Sequence, residues 1–296
     1  SIIEYDPDPD YLTKRCTDKA IDFINRNHNS PFFIYMAYSM PHVPLGASPA
    51  FKGKSENGLY GDVIQEIDYS VGKILETVDN CELTENTLVI FISDNGPWLI
   101  YGNHAGNAKP LREGKKTYFE GGVRVPCVMK WPGVIPENTV CKNPAMTIDL
   151  LPTFAEITGA SLPALPIDGK SILPMMKNPD EKSPNEAYFF YEGGDNGPEW
   201  DDAKIIVVRK GKWKLLLPDK YVTMEGREGG KDGVPVENVY AYIDTALFNL
   251  ETDIEETKNL KNEYPGVVKE LCNMADEYDK ELKQNRRSVS WVTDEK

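Results

Sequence analysis

Residues 87–92 read Thr-Leu-Val-Ile-Phe-Ile, apolar on both faces, and they follow a long helical pattern. A strand that hides both faces must be covered by helices on both sides. The same alternation starts earlier. Leu12, Cys16, Ala20, Phe23, Ile24 and Asn27 recur at helical spacing over 10–27. After Pro31 comes a short aromatic and branched run, Phe32–Tyr38, the composition of a buried strand. Over 60–80, Val63, Ile67, Val71, Ile74, Leu75 and Val78 make one apolar stripe. Helix, strand, helix, strand predicts an α/β fold with a mostly parallel sheet flanked by helices. Such sheets bind ligands beyond the carboxyl ends of their strands. Met40-Pro41-His42 and Ser93-Asp94-Asn95-Gly96 fall there.

The pattern changes further along. Val123–Trp131 reads as a third strand ended by Pro132-Gly133, and 148–158 as a short helix with Pro152 in its first turn and Gly159 closing it. Residues 160–186 are a proline-rich connector. Ala187–Tyr191, Lys204–Arg209, Trp213–Leu217 and Ala246–Leu250 are short strand candidates, with a tight turn at Lys210-Gly211 and a final helix near 264–285. Strands without intervening helices predict a small antiparallel sheet with one helix packed on it. The expected division is therefore 1–185, an α/β domain, and 186–296, an α+β subdomain. The Gly- and charge-rich stretch 219–238 reads as an exposed loop.

The chain has 296 residues, enough for one large or two small domains. Lys+Arg 33 against Asp+Glu 47 gives a net charge of −14. That acidity excludes a general nucleic-acid binder and an anionic membrane surface, both of which need a basic footprint. It leaves room for an anionic substrate held by a local cation. No apolar run reaches about 18 residues, so no transmembrane helix is expected. The opening Ser1-Ile2-Ile3-Glu4-Tyr5 carries no leader signature. The five Cys are scattered and form no CxxC pair, which excludes zinc-ribbon and thioredoxin readings; a Cys127–Cys141 bridge stays open.

Asp94 and Asn95 supply two hard oxygen donors after a buried strand, suited to Ca²⁺ or Mg²⁺. The competing reading is an Asn-Gly hairpin turn. His42, held between Pro41 and Pro44, is either a proton donor near neutral pH or a loop histidine bonded to backbone. Lys115 sits in Arg112-Glu113-Gly114-Lys115-Lys116-Thr117. A P-loop fails there, because Lys109 stands at the first glycine position and Lys116 at the Ser/Thr position. Lys115 is then an anion clamp or a solvated basic turn. His104 lies in the polar loop between Asn95 and Lys115, placed to contact substrate. Trp98 and Tyr101 in that loop stack on a ligand ring or pack on the protein. His28 reads as a solvated helix end, and Glu120–Arg124 as a structural ion pair.

Taken together, these motifs resemble the sulfatase family of the alkaline-phosphatase-like superfamily. The stretches that carry the resemblance are Pro31–Tyr38 with Met40-Pro41-His42-Val43-Pro44, Phe91–Gly96, Leu111–Lys115 with Glu120–Pro126, Trp131-Pro132-Gly133, Asp149–Thr153, Ile167-Asp168-Gly169, and the closing Leu247–Leu250, Asp253, Glu256 and Asn259-Leu260. The loop 102–112 looks closest to the arylsulfatase and N-acetylgalactosamine-6-sulfatase group. The resemblance implies a sulfuric ester hydrolase acting on a sulfated sugar or an aryl sulfate. It makes Asp94 and Asn95 two of four oxygen ligands of Ca²⁺ (or Mg²⁺). It gives Lys115 the sulfate and His42 the leaving alcohol, with His104 and Trp98 on the substrate. It also implies a secreted, periplasmic or lysosomal-type compartment.

The family's formylglycine nucleophile arises from a C/S-x-P/A-x-R motif. None of the five Cys lies in one; in Ser39-Met40-Pro41 and Ser161-Leu162-Pro163, Val43 and Leu165 stand where Arg is needed. The resemblance therefore reads as the C-terminal portion of a sulfatase, with formylglycine and the other metal ligands upstream, the ion incompletely liganded, and the chain alone inactive. The missing N-terminal segment would be a partner in completing the site. Two further readings stand beside it: a phosphodiesterase or phosphonate hydrolase of the same superfamily, or a non-catalytic fragment that binds sulfated glycans. Only three His argue against two His-rich zinc sites.

Overall fold

The computed structural model describes residues 5–192 and 204–285. The opening Ser1–Glu4 lies outside them. The chain separates into two compact units. The first holds residues 1–137 with 222–240, and the second 138–221 with 241–296. These units divide the chain elsewhere than at 185/186. Residues 138–185 fold within the second unit, and a segment between two of its strands returns to the first.

In the first unit, α1 (Leu12–Asn27) follows a single turn at Pro9–Tyr11, where the Asp8 carboxylate accepts the Asp10 N–H at 3.0 Å. Its buried face is Thr13, Thr17, Ala20 and Ile24, spaced as one helical stripe. It packs on α2 (Gly58–Asn80), whose Val63 and Ile67 join Met40, Leu45 and Ala47 in a core. Two buried carboxylates of α2 tie down the proline-rich loop. Asp62 accepts the N–H groups of Gly53, Lys54 and Ser55 at 2.7–2.9 Å, and Glu66 that of Ser48 at 2.8 Å. Burial pushes the Asp62 carboxyl up, but the three N–H donors outweigh it and hold it below its ordinary value. This anchoring fixes the chain that follows His42. His28 is the exposed C-cap of α1, as expected.

Beyond α2, β1 (Val89–Ile92) pairs with β2 (Cys127–Lys130), in the register Val89↔Lys130 to Ile92↔Cys127. The pairing is antiparallel, against the mostly parallel sheet expected. The run 32–38 carries no strand assignment; Phe33 is 68% exposed and Tyr35 84%. Its alternation of half-buried and exposed side chains is that of a strand. A strand also needs a ladder partner, and none pairs with it among the described residues. The short helix α3 (Glu120–Val123) ends in the Glu120–Arg124 ion pair at 3.6 Å.

The second unit centres on an antiparallel sheet in the order β3 (Tyr188–Glu192), β4 (Lys204–Lys210), β5 (Trp213–Leu216), β8 (Ala246–Asn249), close to the expected strands. Gly211, at φ +53°, opens the tight turn between β4 and β5. Helix α6 (Pro265–Asn285) packs on β4, and Leu271 and Ala275 join Ile205, Val208, Leu215 and Leu247 in the core. Helix α4 (Leu150–Thr158) has Pro152 near its start and left-handed Gly159 at its C-cap, as expected, while α5 (Leu173–Lys177) interrupts the expected connector. Strand β6 (Asp219–Thr223) opens the stretch read as loop and pairs with β7 (Val239–Ile243), which lies just beyond it. All five Cys are free thiols. No helix among the described residues is long and apolar enough to cross a membrane.

Candidate active site

Three glycine-bearing motifs build the site by meeting backbone to backbone. Gly96 donates its N–H to Gly122 O at 2.9 Å, Lys115 to Pro97 O at 2.9 Å, and Gly121 to Arg112 O at 2.8 Å. A Cβ on Gly96 would stand 1.8 Å from Gly121 O, one on Gly114 2.3 Å from Pro97 O, and one on Gly121 2.1 Å from Glu113 O. Only glycine permits that approach. The consequence is positional: the end of β1, the Lys115 turn and α3 are locked together. Asp94-Asn95-Gly96 is a bend rather than a hairpin, because the partner of β1 is the distant β2.

Trp98 is the hub of what results. The His42 ring centroid lies 5.7 Å from its ring and that of Tyr101 4.9 Å; the ammonium groups of Lys115 and Lys116 stand 5.1 and 5.3 Å from its centroid. These are tilted-ring and cation–π distances. The Trp98 Nε1–H is buried with no hydrogen-bond partner among the described residues. His42 Nδ1 donates to Val43 O at 2.7 Å, since a carbonyl can only accept. That leaves Nε2 as the exchanging nitrogen. Lys116, at φ +70°, is the site residue that the sequence reading passed over. Its signal was present as a second cation directly after Lys115.

Asp94 and Asn95 stand at the carboxyl end of β1, and the Asn95 amide donates to Asp94 Oδ2. Their oxygens are of the hard type that Ca²⁺ or Mg²⁺ prefers. Two donors fall well short of a six-oxygen shell, and among the described residues no group of three His, Cys, Asp or Glu could hold an ion. The residues present do not by themselves make a metal site.

His104 ends the turn Leu99–His104, and its Nδ1 is buried without a hydrogen-bond partner among the described residues, 3.5 Å from where a Cβ on Gly233 would sit. A strap from 222–240 covers this turn. Gly230 and Val236 both donate to Ile100 O, at 2.8 and 3.0 Å, and Asn103 and Asp232 exchange hydrogen bonds at 2.8 and 2.9 Å. Glu113 accepts from the Thr223 hydroxyl and, at 2.9 Å, from Met224 N–H. Neither of the two described cavities, one beside Leu75 and Val89 and one beside Pro152 and Gly169, includes the Trp98 cluster.

This arrangement of motifs has known counterparts. The sulfatase family pattern matches residues 3–160, over half the chain. The chain belongs to the sulfatase family. A second pattern, the C-terminal region of N-sulphoglucosamine sulphohydrolase, matches residues 114–241 of this sulfatase chain. It is 35% identical to mouse N-acetylgalactosamine-6-sulfatase over 282 residues, 94% of this chain and 52% of that protein. It is 37% identical to human steryl-sulfatase over 196 residues, 64% of this chain and 34% of that one. The Bacteroides thetaiotaomicron structure BT33336S-sulf, described under metabolism of multiple glycosaminoglycans, superposes with a TM-score of 0.72. Its identity is 27%, over 93% of this chain and 55% of that one. The neighbours' alkaline-phosphatase-like architecture supports the α/β class expected. The chain spans about half the length of the N-acetylgalactosamine-6-sulfatase it matches.

Proposed function

We propose that the protein to which this chain belongs hydrolyses a sulfate ester of a sugar, and that this chain supplies the sulfate-binding and leaving-group side of the active site. One observation carries the reading: His42 and Lys115 converge on Trp98 beside the glycine-locked Asp94-Asn95 corner.

Breaking the S–O bond of a sulfate ester puts negative charge on the departing alkoxide and on the sulfate oxygens. Lys115 offsets that charge, and as a fixed donor it costs little reorganisation during the reaction. His42 supplies the proton. With Nδ1–H held by Val43 O, the proton on Nε2 passes to the leaving oxygen as the S–O bond breaks, and the alcohol departs neutral. Trp98 holds both groups in register. Asp94 and Asn95 are two oxygen donors toward a Ca²⁺ or Mg²⁺ ion, whose chemistry would be to neutralise sulfate oxygens. Formylglycine, made at a C/S-x-P/A-x-R motif that this sequence does not contain, is the proposed nucleophile of the whole protein. Residues 1–296 alone are accordingly proposed to be without turnover. A sulfated sugar is favoured over a steryl ester because the N-acetylgalactosamine-6-sulfatase similarity spans nearly the whole chain. By the same family likeness the compartment is secreted, periplasmic or lysosomal.

Sulfate release from N-acetylgalactosamine 6-sulfate and from an aryl sulfate, measured on the full gene product, tests the reading. Release from either supports it. Release from neither, with formylglycine verified by mass spectrometry, overturns it.

A further inference from the structure

Lys115 and Lys116 are consecutive, and their ammonium groups flank one indole. Neither forms an ion pair with a carboxylate among the described residues, on a chain with 47 acidic residues and a net charge of −14. Some lysines elsewhere are paired, among them Lys52 with Asp10, Lys210 with Glu186 and Glu270, and Lys261 with Asp244. Two like charges beside one ring repel each other, and a shared anion offsets that repulsion. The backbone adds a second sign. Lys116 adopts a left-handed φ of +70°, uncommon for a residue that is not Gly, Asn or Asp. In that conformation its ammonium, like that of Lys115, lies over the Trp98 ring. The nearest carboxylate in sequence, Glu113, is engaged by Thr223 and Met224 and is withdrawn from both lysines.

We propose that Lys116 is a specificity-determining residue: it binds a second anionic oxygen group on the substrate, so the site selects sugars that carry another sulfate or a carboxylate near the scissile sulfate. The inference rests on the sulfate-ester reading above, in which Lys115 takes the scissile group. The two ammonium nitrogens are no farther apart than the sum of their distances to the ring centroid. That suits substituents on one sugar ring or on adjoining rings.

Competition of N-acetylgalactosamine 6-sulfate and of its 4,6-disulfate against an aryl sulfate substrate, on the full gene product, gives the two affinities and tests this. The disulfate binds about tenfold tighter than the monosulfate, the worth of one additional charge-assisted contact. Lys116→Met brings that ratio below about twofold, and Lys116→Arg restores it. Lys116→Asn, which accommodates a left-handed backbone, controls for misfolding and also collapses the ratio. Equal affinity for the two sugars in the unaltered protein overturns the proposal, as does a ratio that survives in both Lys116→Met and Lys116→Asn. Failure of the sulfate-ester reading looks different: neither sugar binds, or Lys115→Met changes neither affinity, and the proposal falls with it.

Discussion

Gly96 and Gly121 approach so closely that a methyl group on Gly96 would stand 1.8 Å from the Gly121 carbonyl oxygen. This contact joins the Asp94-Asn95 corner to the segment that follows Lys115. Gly96→Ala is expected to cost about 3 kcal/mol of stability, as overpacking against rigid backbone does. Denaturant unfolding reads the loss directly. Gly72, whose added Cβ meets nothing within 4 Å, is the control, and Gly72→Ala should be neutral to mildly stabilising. Equal stability of the two variants would refute the interlock.

Lys214 and Glu256 form a 2.9 Å ion pair in the second unit with exposures of 1% and 0%. Removing one partner leaves a buried charge uncompensated, so Glu256→Gln is expected to destabilise by about 3–5 kcal/mol. The double change Lys214→Met with Glu256→Leu should cost less than either single change, because it removes both charges. A double-mutant cycle that is simply additive would show that the pair is not coupled.

Asp149 is fully buried and saturated: it accepts from Met146 N–H, Lys170 N–H, the Asn185 amide and the Tyr188 hydroxyl at 2.7–2.9 Å. Burial chiefly pushes the Tyr188 hydroxyl up to about 12; hydrogen bonds with Ser183 and Asn185 oppose this, and the bond to Asp149 adds to it. The folded state thus holds this proton more tightly than the unfolded chain, where tyrosine titrates near 10. Its stabilisation is fully present below about pH 10 and is lost as pH rises toward about 12. Urea unfolding at stepped alkaline pH should show that loss, and Tyr188→Phe should remove this part of it. Ultraviolet titration of Tyr188 near pH 10 in the folded protein would contradict the account.

How much of this was legible beforehand depended on the range of the interactions. The stripes of α1 and α2, the closing helix α6, the Pro152 and Gly159 punctuation of α4, and the four strands of the second unit were readable because helical and strand spacing are local. The pairing of β1 was not. The run 32–38 has a strand's composition, but a ladder needs a partner that composition does not name. The stretch 219–238, which supplies most of the strap, reads as exposed loop because it is rich in Gly and charge. Its hold on the site runs through backbone contacts of Gly102, Gly229 and Gly230, which leave no hydrophobic pattern. Of the site residues, His42 and Lys115 lie around Trp98, and His104 buries one ring nitrogen beneath the strap. Lys116 carries no sequence signal beyond a second charge directly after Lys115.

The central claim is that Lys115 and His42 act on a sulfate ester. Steady-state sulfate release from N-acetylgalactosamine 6-sulfate, comparing the full gene product with its Lys115→Ala variant, tests it most directly. A fall in kcat/KM of about 10²–10³, the usual loss on removing one charge-stabilising donor, is the predicted result. Activity within about twofold of the unaltered enzyme, with folding intact by circular dichroism, would contradict it.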